Sequence, residues 1–114
     1  MILVLSATPD VPNWIRTLTE ARWETNPAAF YEVASKGSYS AVVIASGSPT
    51  VPEMLKETVV VCMHENRAEA MALLRTVGRK FPQSYYYRFV PDNFGAIHKA
   101  LGLHLNSENL DAKN

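Results

Sequence analysis

The chain of 114 residues contains little of what usually gives a small domain away. It has one cysteine, Cys62, so an intramolecular disulfide is excluded. That cysteine lies inside an apolar run, where a free thiol behaves as a small hydrophobe. Charge of one sign is missing too: eleven basic residues meet eleven acidic ones. No net field steers the chain toward nucleic acid or an anionic membrane, and direct nucleic-acid binding is not expected. No apolar stretch approaches the roughly 20 residues of a membrane span. The opening run Met1–Leu5 lacks both the length and the basic start of a secretory signal, so a reducing, cytoplasmic setting is expected. His64 lies apart from His98 and His104 in the sequence, without metal-ligand spacing. No metal or cofactor is expected.

What is present is globular. Hydrophobic residues make up 47% and charged residues 19%, in a length that suits one domain. Four apolar runs, Ile2 to Leu5, Ala41 to Ala45, Val59 to Met63 and Tyr85 to Val90, alternate with helical stretches. This order predicts an α/β fold: a doubly wound parallel sheet of about five strands in an α/β/α sandwich. Asp10 is placed to cap a first helix carrying Trp14, Ile15, Leu18 and Ala21, with Pro12 tolerated in its first turn. Arg22 to Thr25 supplies a short second strand. Asn26-Pro27 opens a helix with Phe30, Val33 and Ala34 on one face, and Gly37 offers a residue able to take positive φ at its end. Tyr39 to Ala45 is a buried strand, Pro52 to Glu57 leaves room for one or two helical turns, and Thr58 to Met63 is the most hydrophobic strand. Glu65 to Phe81 is a long helix ended by Pro82, with Ala70, Leu73, Leu74 and Val77 along its apolar side. Ser84 to Val90 is an aromatic strand, and Pro91-Asp92 starts a last helix with Phe94, Ile97 and Leu101, closed near Gly102. The domain is expected to span 1–105, with the polar stretch 106–114 as a tail or the start of a linker.

The strand from Ala41 to Ala45 runs into Ser46-Gly47-Ser48-Pro49, and the strand through Tyr87 ends at Val90-Pro91. In this layout the chain resembles the receiver domain of bacterial response regulators, a flavodoxin-like fold. The resemblance assigns the place of the phospho-accepting aspartate to Ala45 and that of the metal-binding acidic pair to Ser6 and Ala7. The hydroxyl residue falls on Met63, the lysine before a proline on Val90, and the switch aromatic on Tyr87. The segment between Pro49 and Thr58 is shorter than a receiver's third helix with its loops. Aspartyl phosphorylation needs a carboxylate nucleophile, oxygen ligands for Mg²⁺ and a cation facing the phosphoryl group. None of these residues supplies one. The resemblance therefore implies a degenerate receiver: a regulatory domain that is not phosphorylated and signals through a protein partner or as a homodimer. Such a domain suits attachment to an output module, as in a transcriptional regulator.

Residues able to carry contacts or chemistry remain. Strand alternation puts Tyr85, Tyr87 and Phe89 on one face and Tyr86 with Arg88 on the other. Tyr and Arg are enriched at the centres of protein interfaces, so Arg75, Arg79, Tyr86, Tyr87 and Arg88 are the interaction candidates, with Lys80 beside them. Core packing of the rings and a favourable helix dipole for the cations account for the same residues without a partner. Ser46-Gly47-Ser48 reads as a structural turn, or as a backbone cradle in a small-ligand sensor. The stretch Thr50 to Glu53 is similar in spacing to nucleotide N-glycosidases and deoxyribosyltransferases. It sets out the enzymatic alternative: Glu53 acting with Asp10 or with His64, which is followed by Glu65.

Overall fold

A computed structural model describes residues 1–47, 58–77 and 81–102. Five short strands, β1 (Ile2–Leu5), β2 (Ala21–Glu24), β3 (Ala41–Ile44), β4 (Val59–His64) and β5 (Ser84–Arg88), form one all-parallel sheet in the order β2-β1-β3-β4-β5. This is the flavodoxin-like doubly wound order, whose direction reverses between β1 and β3. Four α-helices lie among the described residues: α1 (Asp10–Arg16), α2 (Pro27–Lys36), α3 (Arg67–Val77) and α4 (Phe94–Ala100), the last preceded by a 3-10 turn over Pro91–Asn93.

The inner strands are β-branched and apolar on both faces because helices cover both. Leu3, Leu5, Val42, Ile44, Val60 and Cys62 pack with Phe30 and Ala34 of α2 and with Leu73 and Val77 of α3. Their neighbours in sequence, Ile2, Val4, Ala41, Val43, Val61 and Met63, pack with Val11 and Ile15 of α1 and with Ile97 of α4. Period-two alternation thus divides one hydrophobic run between two cores. The step from β1 to β2 carries α1 on one face. The step from β2 to β3 runs the opposite way with α2 on the other face, so both crossovers have the same hand.

Local chemistry fixes the ends. Asn26 Oδ1 accepts from Ala28 N–H at 2.8 Å and from Ala29 N–H at 3.3 Å, with Pro27 at the first helical position. Asn66 Oδ1 does the same for α3, accepting from Ala68 N–H and Glu69 N–H. Gly102, at φ 71°, closes the turn after α4 and donates to the Lys99 carbonyl.

Four sequence expectations are corrected. The long helix expected over Glu65 to Phe81 is α3 at Arg67–Val77, and Phe81 is buried in the core without being helical. Asp10 does not cap α1: Pro9 holds that position, its carbonyl accepting from Asn13 N–H, and Asp10 is the first helical residue. Ala21 is not on α1, because Leu18 and Thr19 N–H both turn back to the Ile15 carbonyl and Ala21 then pairs with Ile2 as the first residue of β2. Gly37 is extended, at φ −107°, rather than left-handed. It is small because a Cβ there would stand 2.6 Å from the Tyr39 ring. The short helix expected over Pro52 to Glu57 and the tail 106–114 lie outside the described residues. No described helix is long and apolar enough to cross a membrane.

Candidate functional site

Doubly wound sheets bind their ligands beyond the carboxyl ends of the strands, at the point where strand order reverses. Here β1 runs into a turn closed by Ser6, whose buried Oγ donates to the Thr8 carbonyl at 2.7 Å and accepts from Thr8 N–H at 3.3 Å. The Ser6 carbonyl takes the Trp23 indole N–H at 2.8 Å. Across the reversal, Ala7 N–H donates to Ser46 Oγ at 2.7 Å, tying the tip of β1 to the tip of β3. Gly47 follows at φ 79°, a left-handed conformation that costs side-chain-bearing residues about 1–2 kcal/mol.

At the next tip, Met63 is fully buried and His64 ends β4. His64 Nδ1 accepts from Asn66 N–H at 3.0 Å, which puts the proton of the neutral ring on Nε2. Phe89 N–H donates to the His64 carbonyl and Arg88 Nε to the Glu65 carbonyl, so β5 is locked to the loop after β4. These turns enclose a cleft of about 250 Å³ lined by Thr8, Asp10, Val11, Ala45, Ser46, Met63, His64, Glu65 and Phe89. Phe89 forms a wall of it and is braced by Trp14 in edge-to-face contact (5.5 Å between ring centroids) and by Phe94 (5.3 Å). A second cleft of about 230 Å³ opens on the α3 side of the same tips, between Ser46, Gly47, His64, Glu69 and Thr76. Ser46 and His64 border both.

The residues singled out in the sequence are distributed as follows. Ala45 and Met63 line the first of these clefts, whereas Ser6 is turned into its own turn, Ala7 is on the exposed rim and Val90 is half-buried before the 3-10 turn. Asp10 and His64 line the cleft together; Glu53, Ser48 and His104 lie outside the described residues. Glu65 lines it beside His64, as its place after the fourth strand implied, and Thr8 and Phe89 join the lining without having been expected there. Their common signal is that each directly follows a strand or its first turn. No cluster of three metal-ligating side chains occurs among the described residues.

The aromatic strand β5 is an edge strand. Tyr87 and Phe89 pack toward α1 and α4, and Tyr86 packs toward α2 and α3, where Arg67 Nη2 donates to its hydroxyl at 3.4 Å. Tyr85 remains 42% exposed, and Arg88 is exposed with Arg75 on α3. Arg79 and Lys80 lie outside the described residues. Burial pushes the Cys62 thiol up to about 12, which keeps it protonated at neutral pH.

Compared with known proteins, the chain matches no family model and no curated protein, and its structure matches no solved structure.

Proposed function

We propose that the chain is a receiver-like regulatory domain that is not phosphorylated and works by contact with a protein partner or a second copy through α3, β5 and α4. The observation that carries the reading is the make-up of the tips of a sheet ordered β2-β1-β3-β4-β5: Ser6 and Ala7, Ala45, Met63 and Val90 stand where a receiver's chemistry would sit. Ala45 has no nucleophile, Ser6 is committed to Thr8, and Val90 brings no charge. The half-buried Tyr86 and Tyr87 and the exposed Tyr85, Arg75 and Arg88 give the β5 edge the composition of a contact surface. Such a surface is biased by whatever binds it rather than by a phosphoryl group. An output module such as a transcriptional regulator is the kind of protein it would serve, in a two-component-like pathway.

The test is an amide NMR titration with beryllofluoride and Mg²⁺. The spectrum should stay unchanged, and a saturable shift at Ala45 or Met63 would refute the reading.

A second reading is favoured by one observation: Asp10 and His64 line a common cleft. Under it the domain is a small nucleoside- or nucleotide-processing enzyme of N-glycosidase type that also uses Glu53. Incubation with a nucleoside and nucleotide panel, followed by chromatography for freed base, separates the two. Base release abolished by Asp10→Asn would establish the enzyme and displace the first reading.

A further inference from the structure

The sheet has a second open edge, at β2, opposite the β5 surface. The carbonyls of Glu20, just before β2, and of Glu24 at its end accept from Ile2 N–H and Ser6 N–H, each at 3.1 Å. Backbone direction alternates along a strand, so Arg22 and Glu24 turn their amide groups toward β1, while Ala21 and Trp23 turn theirs outward. No backbone partner for those outward groups occurs among the described residues. The side chains alternate in the same way. Arg22 and Glu24 share the α2 face, and Trp23 lies on the α1 face, where Arg16 sits over its ring at 5.9 Å.

Beside this edge, β2 and α2 frame a groove of about 510 Å³ lined by Arg22, Glu24, Glu32, Val33, Lys36 and Tyr39 among others. Its four charged side chains are two basic and two acidic, paired within the chain as Arg22–Glu24 at 2.9 Å and Lys36–Glu32 at 3.0 Å. A surface that is charge-neutral and alternates sign along a strand is complementary to itself when turned through a twofold axis.

We propose that a second copy of this chain docks on β2, the two strands running antiparallel about a twofold axis at Trp23. Trp23 then faces the partner's Trp23 as a hydrogen-bonded pair, using the outward N–H and C=O of both. Ala21 pairs in the same phase one step beyond. The axis sets Arg22 opposite the partner's Glu24, and Glu24 opposite the partner's Arg22, at the non-hydrogen-bonded positions where side chains approach most closely. Each intrachain ion pair becomes part of a four-charge cluster, and two five-stranded sheets become one. The same operation at β5 would set Arg88 opposite Ser84 and Tyr85 opposite Tyr87, with no opposite charges to match. Charge complementarity therefore favours β2 over β5 for self-association, and of the two contacts proposed for the β5 surface it leaves the one with a different protein.

Sedimentation equilibrium of the full chain tests this. The wild type should show a monomer–dimer equilibrium below about 1 mM, the weak end of specific affinity. Arg22→Glu and Glu24→Arg should each weaken it about tenfold or more, because like charges then face each other. The two single variants mixed in equal amounts should associate again, and so should the double swap R22E/E24R, while circular dichroism shows every variant folded. A wild type that remains monomeric, a dimer indifferent to Arg22→Glu, or a dimer abolished by Arg88→Glu instead would each overturn the proposal.

Discussion

Cys62 shows how much of a residue's behaviour comes from its surroundings. It faces the core shared by α2 and α3, with no solvent exposure. Burial disfavours its thiolate, raising its pKa from 9.0 to about 12. Above pH 9 the unfolded chain loses this proton and the folded chain keeps it, so folding carries a proton that unfolding releases. Its contribution to stability is intact below pH 9 and declines by about 1.4 kcal/mol per pH unit as the pH rises toward 12. Denaturant titrations of the wild type and of Cys62→Ala across that range should diverge in slope, the variant falling less steeply. Asp10 precedes an apolar period and has the right chemistry for a cap, but Pro9 offers its carbonyl one residue earlier, and the helix starts there.

At the scale of elements, the strands and the Asn26 cap were legible because their causes are local. The runs around Leu3, Val43 and Val61 are apolar on both faces, which only a covered parallel strand requires. Asn26 precedes a proline and two small residues whose amides it can reach. Asn26→Ala should lower stability by about 1 kcal/mol, read from the midpoint of urea unfolding at constant m-value. The end of α1 was not legible. Helical spacing continues through Leu18 and Ala21, and what overrides it is pairing of Ala21 with Ile2, a partner the sequence does not point to. The extended Gly37 follows the same logic, since its reason is the ring of Tyr39 folded back over it. The cleft was half legible: Ala45, Met63 and His64 end strands and could be placed, whereas Thr8 and Phe89 reach it only through the turns that follow.

Across the molecule, several groups on different strands would have to be present at once for the sheet tips to do phosphoryl chemistry. Phosphoryl chemistry at the sheet tips requires a nucleophile, metal ligands and a cation together, and restoring one leaves the others missing. Ala45→Asp should therefore fail to gain an acid-stable, hydroxylamine-labile phosphate on incubation with acetyl phosphate and Mg²⁺, as followed by intact-mass spectrometry. A stoichiometric 80 Da adduct would show that Asp10 and Glu65, which also line the cleft, substitute for the missing acids.

The consecutive rings of β5 carry a consequence of their own. Tyr86 belongs to the layer beneath α3 and Tyr87 to the layer beneath α4, although they are neighbours in the chain. A slip of this strand by a single residue would exchange the two phenols between compartments and unseat Met63 opposite Tyr87 at the same time. The outermost strand therefore behaves as a latch with one seated position. A molecule bound along it from outside would meet side chains of both compartments of the sandwich.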